Sequence, residues 1–162
     1  MKRDLPLVLR KLKLKVEDTL ILDIGCGKSV DDAELVKMGA NVIALDFAET
    51  ACQFQRERGV KAVCADAREL PFRDEIFDIV IASHVLEHFP NPWIVTEWMR
   101  VLKNGGWLII SGPCGIRCDT YCDEHFWNFD YGSITQFLFN FSDIAVSIKS
   151  SQQDELIVAV RK

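Results

Sequence analysis

Short apolar bursts alternate with stretches of helical periodicity along most of the chain, and this alternation restricts the fold more than any other feature. TLILDIG (19–25), NVIALD (41–46), VKAVCAD (60–66), FDIVIASH (77–84) and WLIISG (107–112) read as five buried strands, the fourth most plainly. The first is followed by a helix opening at Ser29, with Asp32 as a weak capping box and Gly39 as its stop. A second helix is expected over 48–58, ending near Gly59. A third opens with Asn91 and Pro92 as N-cap and first position and ends at Gly105 and Gly106. It carries Ile94, Val95, Trp98, Val101 and Leu102 at helical spacing. Ile134, Phe137, Leu138 and Phe141 mark one face of a further helix. DIAVSIKS (143–150) and ELIVAVRK (155–162) flank a turn so short that the two strands must be antiparallel. Five strand–helix units and a hairpin imply an open, doubly wound α/β sheet.

The 162 residues suit a single domain with one sizeable core. No repeat, linker or low-complexity tract interrupts them. No apolar run approaches the ~18 residues of a membrane span. The start, MKRDLPLVLRKLKLKV, lacks the uninterrupted apolar centre of a signal peptide, so a cytoplasmic location is expected. Six cysteines in such a chain are expected to stay reduced. A net charge of −5 argues against a general nucleic-acid binder. Residues 1–18 form a short basic segment in which Lys2, Arg3, Arg10, Lys11, Lys13 and Lys15 crowd together. It reads as a solvated end, or as a docking surface for an anionic partner.

The turn after the first strand, ILDIGCGKSVDD, belongs to the end of the sheet where such folds bind ligands. A phosphate-wrapping G-x-x-x-x-G-K-S loop would need glycine where Leu22 stands, inside the strand. A dinucleotide fingerprint would need its third glycine at Val30. What remains is Asp23-x-Gly25-x-Gly27. A carboxylate there repels pyrophosphate and suits a cationic ligand without phosphate. S-adenosylmethionine fits, with its sulfonium, its amino group and a carboxylate able to face a helix N-terminus.

From residue 19 to 162 the chain resembles the class I S-adenosylmethionine-dependent methyltransferases, specifically their compact small-molecule-type domain. LDIGCGKS is similar to the first motif of that family, CADARELPF (64–72) to its adenine-contacting segment, and FDIVIASHVLEHFP (77–90) to its fourth strand and following turn. EWMRVLKNGGWLIISGP (97–113) resembles the helix and strand after that. The resemblance implies a seven-stranded, mostly parallel sheet with an antiparallel C-terminal strand, and S-adenosylmethionine as cofactor, leaving as S-adenosylhomocysteine. It implies cofactor contacts from Asp23, Gly25, Cys26, Gly27, Asp46 (ribose), Phe47, Asp66 (adenine amino group), Ala67, Ser83 and His84. Two departures stand out: Ser29 replaces the third glycine of the motif, and only about 18 residues precede the first strand. A reduced lid follows, or one completed by a partner protein or a second copy.

If the acceptor is a hydroxyl or amine, a general base helps. His84 and His125 are the candidates, followed by Glu87, while His88 reads as a structural residue of its turn. Cys114, Cys118, Cys122 and His125 do not follow a standard zinc spacing, so no metal is expected and reduced loop thiols are the simpler reading. The turn Ser83-His84-Val85-Leu86 lacks the Pro-Pro-aromatic element of enzymes acting on adenine or glutamine amino groups. A small-molecule acceptor is expected. The alternative is a non-catalytic cofactor-binding subunit that docks on another protein.

Overall fold

Parallel strands can pair only through crossovers, and the helical stretches between the apolar bursts supply them. The computed structural model describes residues 5–113, 131–142, 145–149 and 155–162. Strands β1 (Leu20–Ile24), β2 (Asn41–Asp46), β3 (Lys61–Cys64), β4 (Phe77–Ser83) and β5 (Leu102–Pro113) are mutually parallel. Two further strands, β6 (Ala145–Lys149) and β7 (Glu155–Arg161), form an antiparallel pair, and β7 lies antiparallel to β5. The seven strands stand in the order β3-β2-β1-β4-β5-β7-β6. The strand order reverses between β1 and β4, so their carboxyl ends open the crevice where such sheets bind ligands.

Both faces of the sheet are covered, which is why its central strands read as continuous apolar runs. Leu22, Ile24, Val80 and Leu108 face one cluster, with Trp98 of α4 (Val95–Val101) and Leu138 of α5 (Tyr131–Leu138). Ile21, Ile79 and Ile81 face the other, with Leu35 of α2 (Asp31–Lys37). Val8 and Leu9 of α1 (Leu5–Lys11) are buried in this second cluster, while Arg10, Lys11, Lys13 and Lys15 are exposed. The helix α3 (Glu49–Glu57) covers β2 and β3.

Three local expectations need correction. The first crossover helix begins at Asp31, with Val30 at its N-cap and no side-chain cap. Ser29 still belongs to the loop, where its Oγ accepts from the Asp31 N–H at 3.2 Å. The third crossover starts as a 3₁₀ turn, Pro92–Ile94, capped by Asn91, whose Oδ1 accepts from the Trp93 N–H at 3.0 Å. Its helix ends at Val101, not at the glycine pair, because Leu102 already pairs with Phe77 across a register shift. Gly106 serves that irregularity instead: a Cβ there would lie 2.9 Å from the Asp78 carbonyl oxygen.

A cation holds the segment beneath β4's entrance. Arg100 donates to the Leu70 and Phe72 carbonyls and to the carboxylates of Asp74 and Glu97, and Glu97 accepts from the Leu70 N–H at 2.8 Å. The Arg100 guanidinium holds the Glu97 carboxyl below its ordinary range. A carboxyl depressed in the folded state adds stability above its unfolded value and loses it as pH falls through the folded one. Glu97→Gln should therefore cost about 1–3 kcal/mol at pH 7. The difference from wild type should shrink below roughly pH 4, as read by urea unfolding at a series of pH values.

Candidate functional site

The bend after β1 turns in two residues because Gly25 (φ +65°) and Gly27 (φ +51°) adopt the left-handed region. Gly25 also passes so close to β4's exit that a Cβ would stand 2.4 Å from Cγ2 of Val85. The loop is fastened from below. The Gly27 N–H donates to Oδ2 of Asp46 at 2.9 Å, and the Cys26 N–H to the Leu45 carbonyl at 3.0 Å. The buried amide of Gln55, on α3, donates to the carbonyls of Gly27 (3.3 Å) and Ser29 (2.9 Å). Oδ1 of Asp46 accepts from the Ala48 N–H at 2.9 Å. Asp46 thus ties the glycine bend to the end of β2, and each of its oxygens keeps a further lone pair for a ligand.

Above this bend lies a cavity of about 690 Å³, within the range of cofactor sites. Gly25, Asp46, Phe47, Asp66, Ala67 and His84, all expected from the sequence, line it. Phe47 is 84% exposed at the rim, an apolar ring next to Asp46 in the chain. Asp23, Cys26, Gly27 and Ser83 are not part of the lining. Asp23 is fully buried, and Ser83 Oγ lies 2.7 Å from Ser111 Oγ, between β4 and β5. Burial, and then the Asp23 carboxylate, push the Cys26 thiol far above its usual range, so it stays protonated.

The wall also includes Arg68, Val85, His88 and Phe89; sequence reading singles out only His88 among them, as a structural residue. Arg68 grips both oxygens of Asp66, with Nη2 to Oδ2 at 2.6 Å, and holds that carboxyl below its ordinary range. Asp66 is therefore ionised at neutral pH and can accept from an exocyclic amine. The buried Trp98 indole donates to the Ala67 carbonyl at 3.1 Å, which fixes this corner to the core. No motif announces Arg68 or Gln55; only their spacing from Asp66 and Gly27 in three dimensions does. Cys114, Cys118, Cys122 and His125 lie outside the described residues. Among the described residues no group of His, Cys, Asp and Glu could hold a metal ion, and no helix is long and apolar enough to cross a membrane.

The site is a glycine bend with buried carboxylates, an acid at the end of β2, an acid after β3 and a histidine at the end of β4. It suits an adenosyl group joined to a cationic chain. Residues 22–110, more than half of the chain, match the family profile described as a methyltransferase domain. Over 96 residues the chain is 40% identical to the demethylmenaquinone methyltransferase of Clavibacter sepedonicus, covering 56% of this chain and 39% of that protein. Over 108 residues it is 39% identical to a biotin biosynthesis bifunctional protein of Cellvibrio japonicus, covering 63% of this chain and 22% of that protein. The chain thus spans well under half the length of the curated relatives it matches here. An S-adenosylmethionine-dependent methyltransferase from Aquifex aeolicus superimposes with a TM-score of 0.79 at 18% identity, over 96% of this chain and 88% of the other.

Proposed function

The chain belongs to the class I S-adenosylmethionine-dependent methyltransferases, and from that premise we propose that it methylates a small molecule held in the cavity at the strand-order switch. The observation that carries this reading is Asp46, which joins the glycine bend to the rim of a cavity of cofactor size. The residues fit the cofactor: Gly25, Asp46 and Asp66 line one cavity, so a stretch of backbone without a side chain and two carboxylates border the same space. The free lone pairs of Asp46 accept from the ribose hydroxyls, Asp66 accepts from the adenine amine, and the Ala67 N–H donates to the ring. Phe47 covers the base. The buried Asp23 favours the positive charge of the methionine end.

When bound, S-adenosylmethionine supplies a methyl group already activated by its sulfonium. The protein's task is to hold a nucleophile in line with that methyl and keep water away. His84, at the end of β4 and in the cavity wall, is the described side chain best placed to take a proton from the acceptor. His125 retains the same proposed role from the sequence. A small acceptor accords with the relative from Clavibacter sepedonicus, a demethylmenaquinone methyltransferase. We place the reaction in the cytoplasm and assign residues 19–162 to the catalytic domain.

Calorimetry tests the reading. S-adenosylmethionine and S-adenosylhomocysteine should bind, whereas NAD and ATP at millimolar concentration should not. Uptake of NAD or ATP in place of the sulfonium compound overturns it. The exposed Arg10, Lys11, Lys13 and Lys15 favour a second reading, a cofactor-binding subunit docked on an acidic partner. Steady release of S-adenosylhomocysteine by the chain alone, with a panel of small acceptors, excludes that second reading. Turnover that begins only when a second protein is added excludes the first.

A further inference from the structure

A carboxylate buried beside the cavity wall, between the lining residues Val85 and His88, has no evident structural employment. Glu87, in the 3₁₀ turn Leu86–His88 after β4, is fully buried. Neither of its oxygens accepts a hydrogen bond among the described residues. A buried acid left this way is costly unless a neighbouring group answers it. The neighbour is His84: its Nδ1 lies 3.4 Å from Oε1 of Glu87. That separation is within ion-pair reach and long for a hydrogen bond. His84 is held there under backbone strain. Its φ is +54°, in the left-handed region, which a non-glycine residue occupies only when its surroundings require it. Its N–H donates to the Ser111 carbonyl on β5 at 2.8 Å, which anchors the strained residue to the sheet. The imidazole is 30% exposed in the cavity wall, between a fully buried carboxylate and the space where the acceptor must sit.

We infer that Glu87 is a positioning residue that accepts from Nδ1–H of His84, leaving Nε2 as the basic nitrogen toward the cavity, and that the acceptor is one that must lose a proton: a hydroxyl, a thiol or an amine. The inference rests on the methyl-transfer reading for its acceptor class, but not for the pairing itself. A carboxylate acceptor is already ionised near neutrality and would need no such base. In the step, the acceptor's oxygen, sulfur or nitrogen forms the bond to the methyl carbon. The carbon–sulfonium bond breaks with its electron pair passing to sulfur. The acceptor's proton goes to Nε2 of His84 and from there to water. Glu87 does not take the proton from the acceptor; it orients the ring and stabilises the imidazolium.

The pairing is tested on the full chain by long-range proton–nitrogen correlation spectra of the histidine side chains, assigned with His84→Asn. At a pH where the ring is neutral, His84 should carry its proton on Nδ1, the less common form of free imidazole. Glu87→Leu removes the acceptor at similar volume and should return the proton to Nε2. Glu87→Gln keeps an acceptor oxygen and should restore the Nδ1–H form. A wild-type His84 protonated on Nε2, or a tautomer indifferent to Glu87→Leu, overturns the pairing. The wild-type spectrum decides even if the leucine variant does not fold.

In single-turnover assays Glu87→Leu should slow methyl transfer about 100-fold or more, the scale of a lost general base. Cofactor affinity should be unchanged, and Glu87→Gln should recover part of the rate. Methyl ethers, thioethers or methylamines among the products support the acceptor class, whereas methyl esters overturn it. A chain that ignores S-adenosylmethionine in calorimetry removes the methyl-transfer reading, while the tautomer still reports on the pairing alone.

Discussion

Gly25→Ala lowers the thermal midpoint by roughly 5–15 °C and removes detectable cofactor binding. Two costs add. A non-glycine residue at φ +65° gives up about 1–2 kcal/mol to sterics. The new Cβ, 2.4 Å from Cγ2 of Val85, must also displace a stiff β-branched side chain, at about 1–3 kcal/mol. For a chain of this size each kcal/mol moves the midpoint by roughly 2–4 °C. Binding suffers more than stability, because the displacement occurs where β1 and β4 open into the cavity. The double variant Gly25→Ala, Val85→Ala separates the two costs. It should be less destabilised than the sum of the single variants, by about 0.5–3 kcal/mol of coupling. Strict additivity in calorimetric unfolding would show that the close approach to Val85 is not what requires glycine.

Asp46→Ala weakens S-adenosylmethionine binding by about 100-fold or more. The carboxylate makes two charged hydrogen bonds to loop backbone, to Gly27 and to Ala48. Such bonds are worth roughly 1.5–3 kcal/mol each, and every 1.4 kcal/mol is about tenfold in affinity. On the proposed reading the alanine variant loses the acceptors for the ribose hydroxyls, and it loosens the bend that the Gly27 N–H ties to Asp46. Asp46→Asn keeps one acceptor oxygen and should fall between, at about tenfold. Unchanged affinity in titration calorimetry of the alanine variant removes Asp46 from the site.

The architecture was legible in the chain because buried parallel strands leave a strong mark. NVIALD ends at Asp46 in both the reading and the structure, and FDIVIAS falls on β4. The antiparallel β6–β7 pair follows from the short connection alone. Boundaries set by tertiary pairing were not legible. Leu102 has helical spacing from Trp98 and Val95, yet Phe77 draws it into the sheet five residues ahead of the expected strand. α1 carries no strong periodicity in its seven residues, and its burial depends on a sheet face that only the assembled fold presents. At the site, the acids that end strands could be found from their positions after apolar runs. Gln55 and Arg68 could not, because each acts on a partner through side-chain geometry: Gln55 reaches back 28 residues to Gly27, and Arg68 folds over Asp66 two residues away.

The fastening of the glycine bend bears on kinetics. Asp46, Gln55 and the Leu45 carbonyl hold the loop in place through four hydrogen bonds that involve no ligand. The entropy of ordering this segment is thus lost when the chain folds, not when the cofactor arrives. Capture at this bend then proceeds without a rearrangement of the bend itself, and variation around it should change how long the cofactor stays more than how fast it enters.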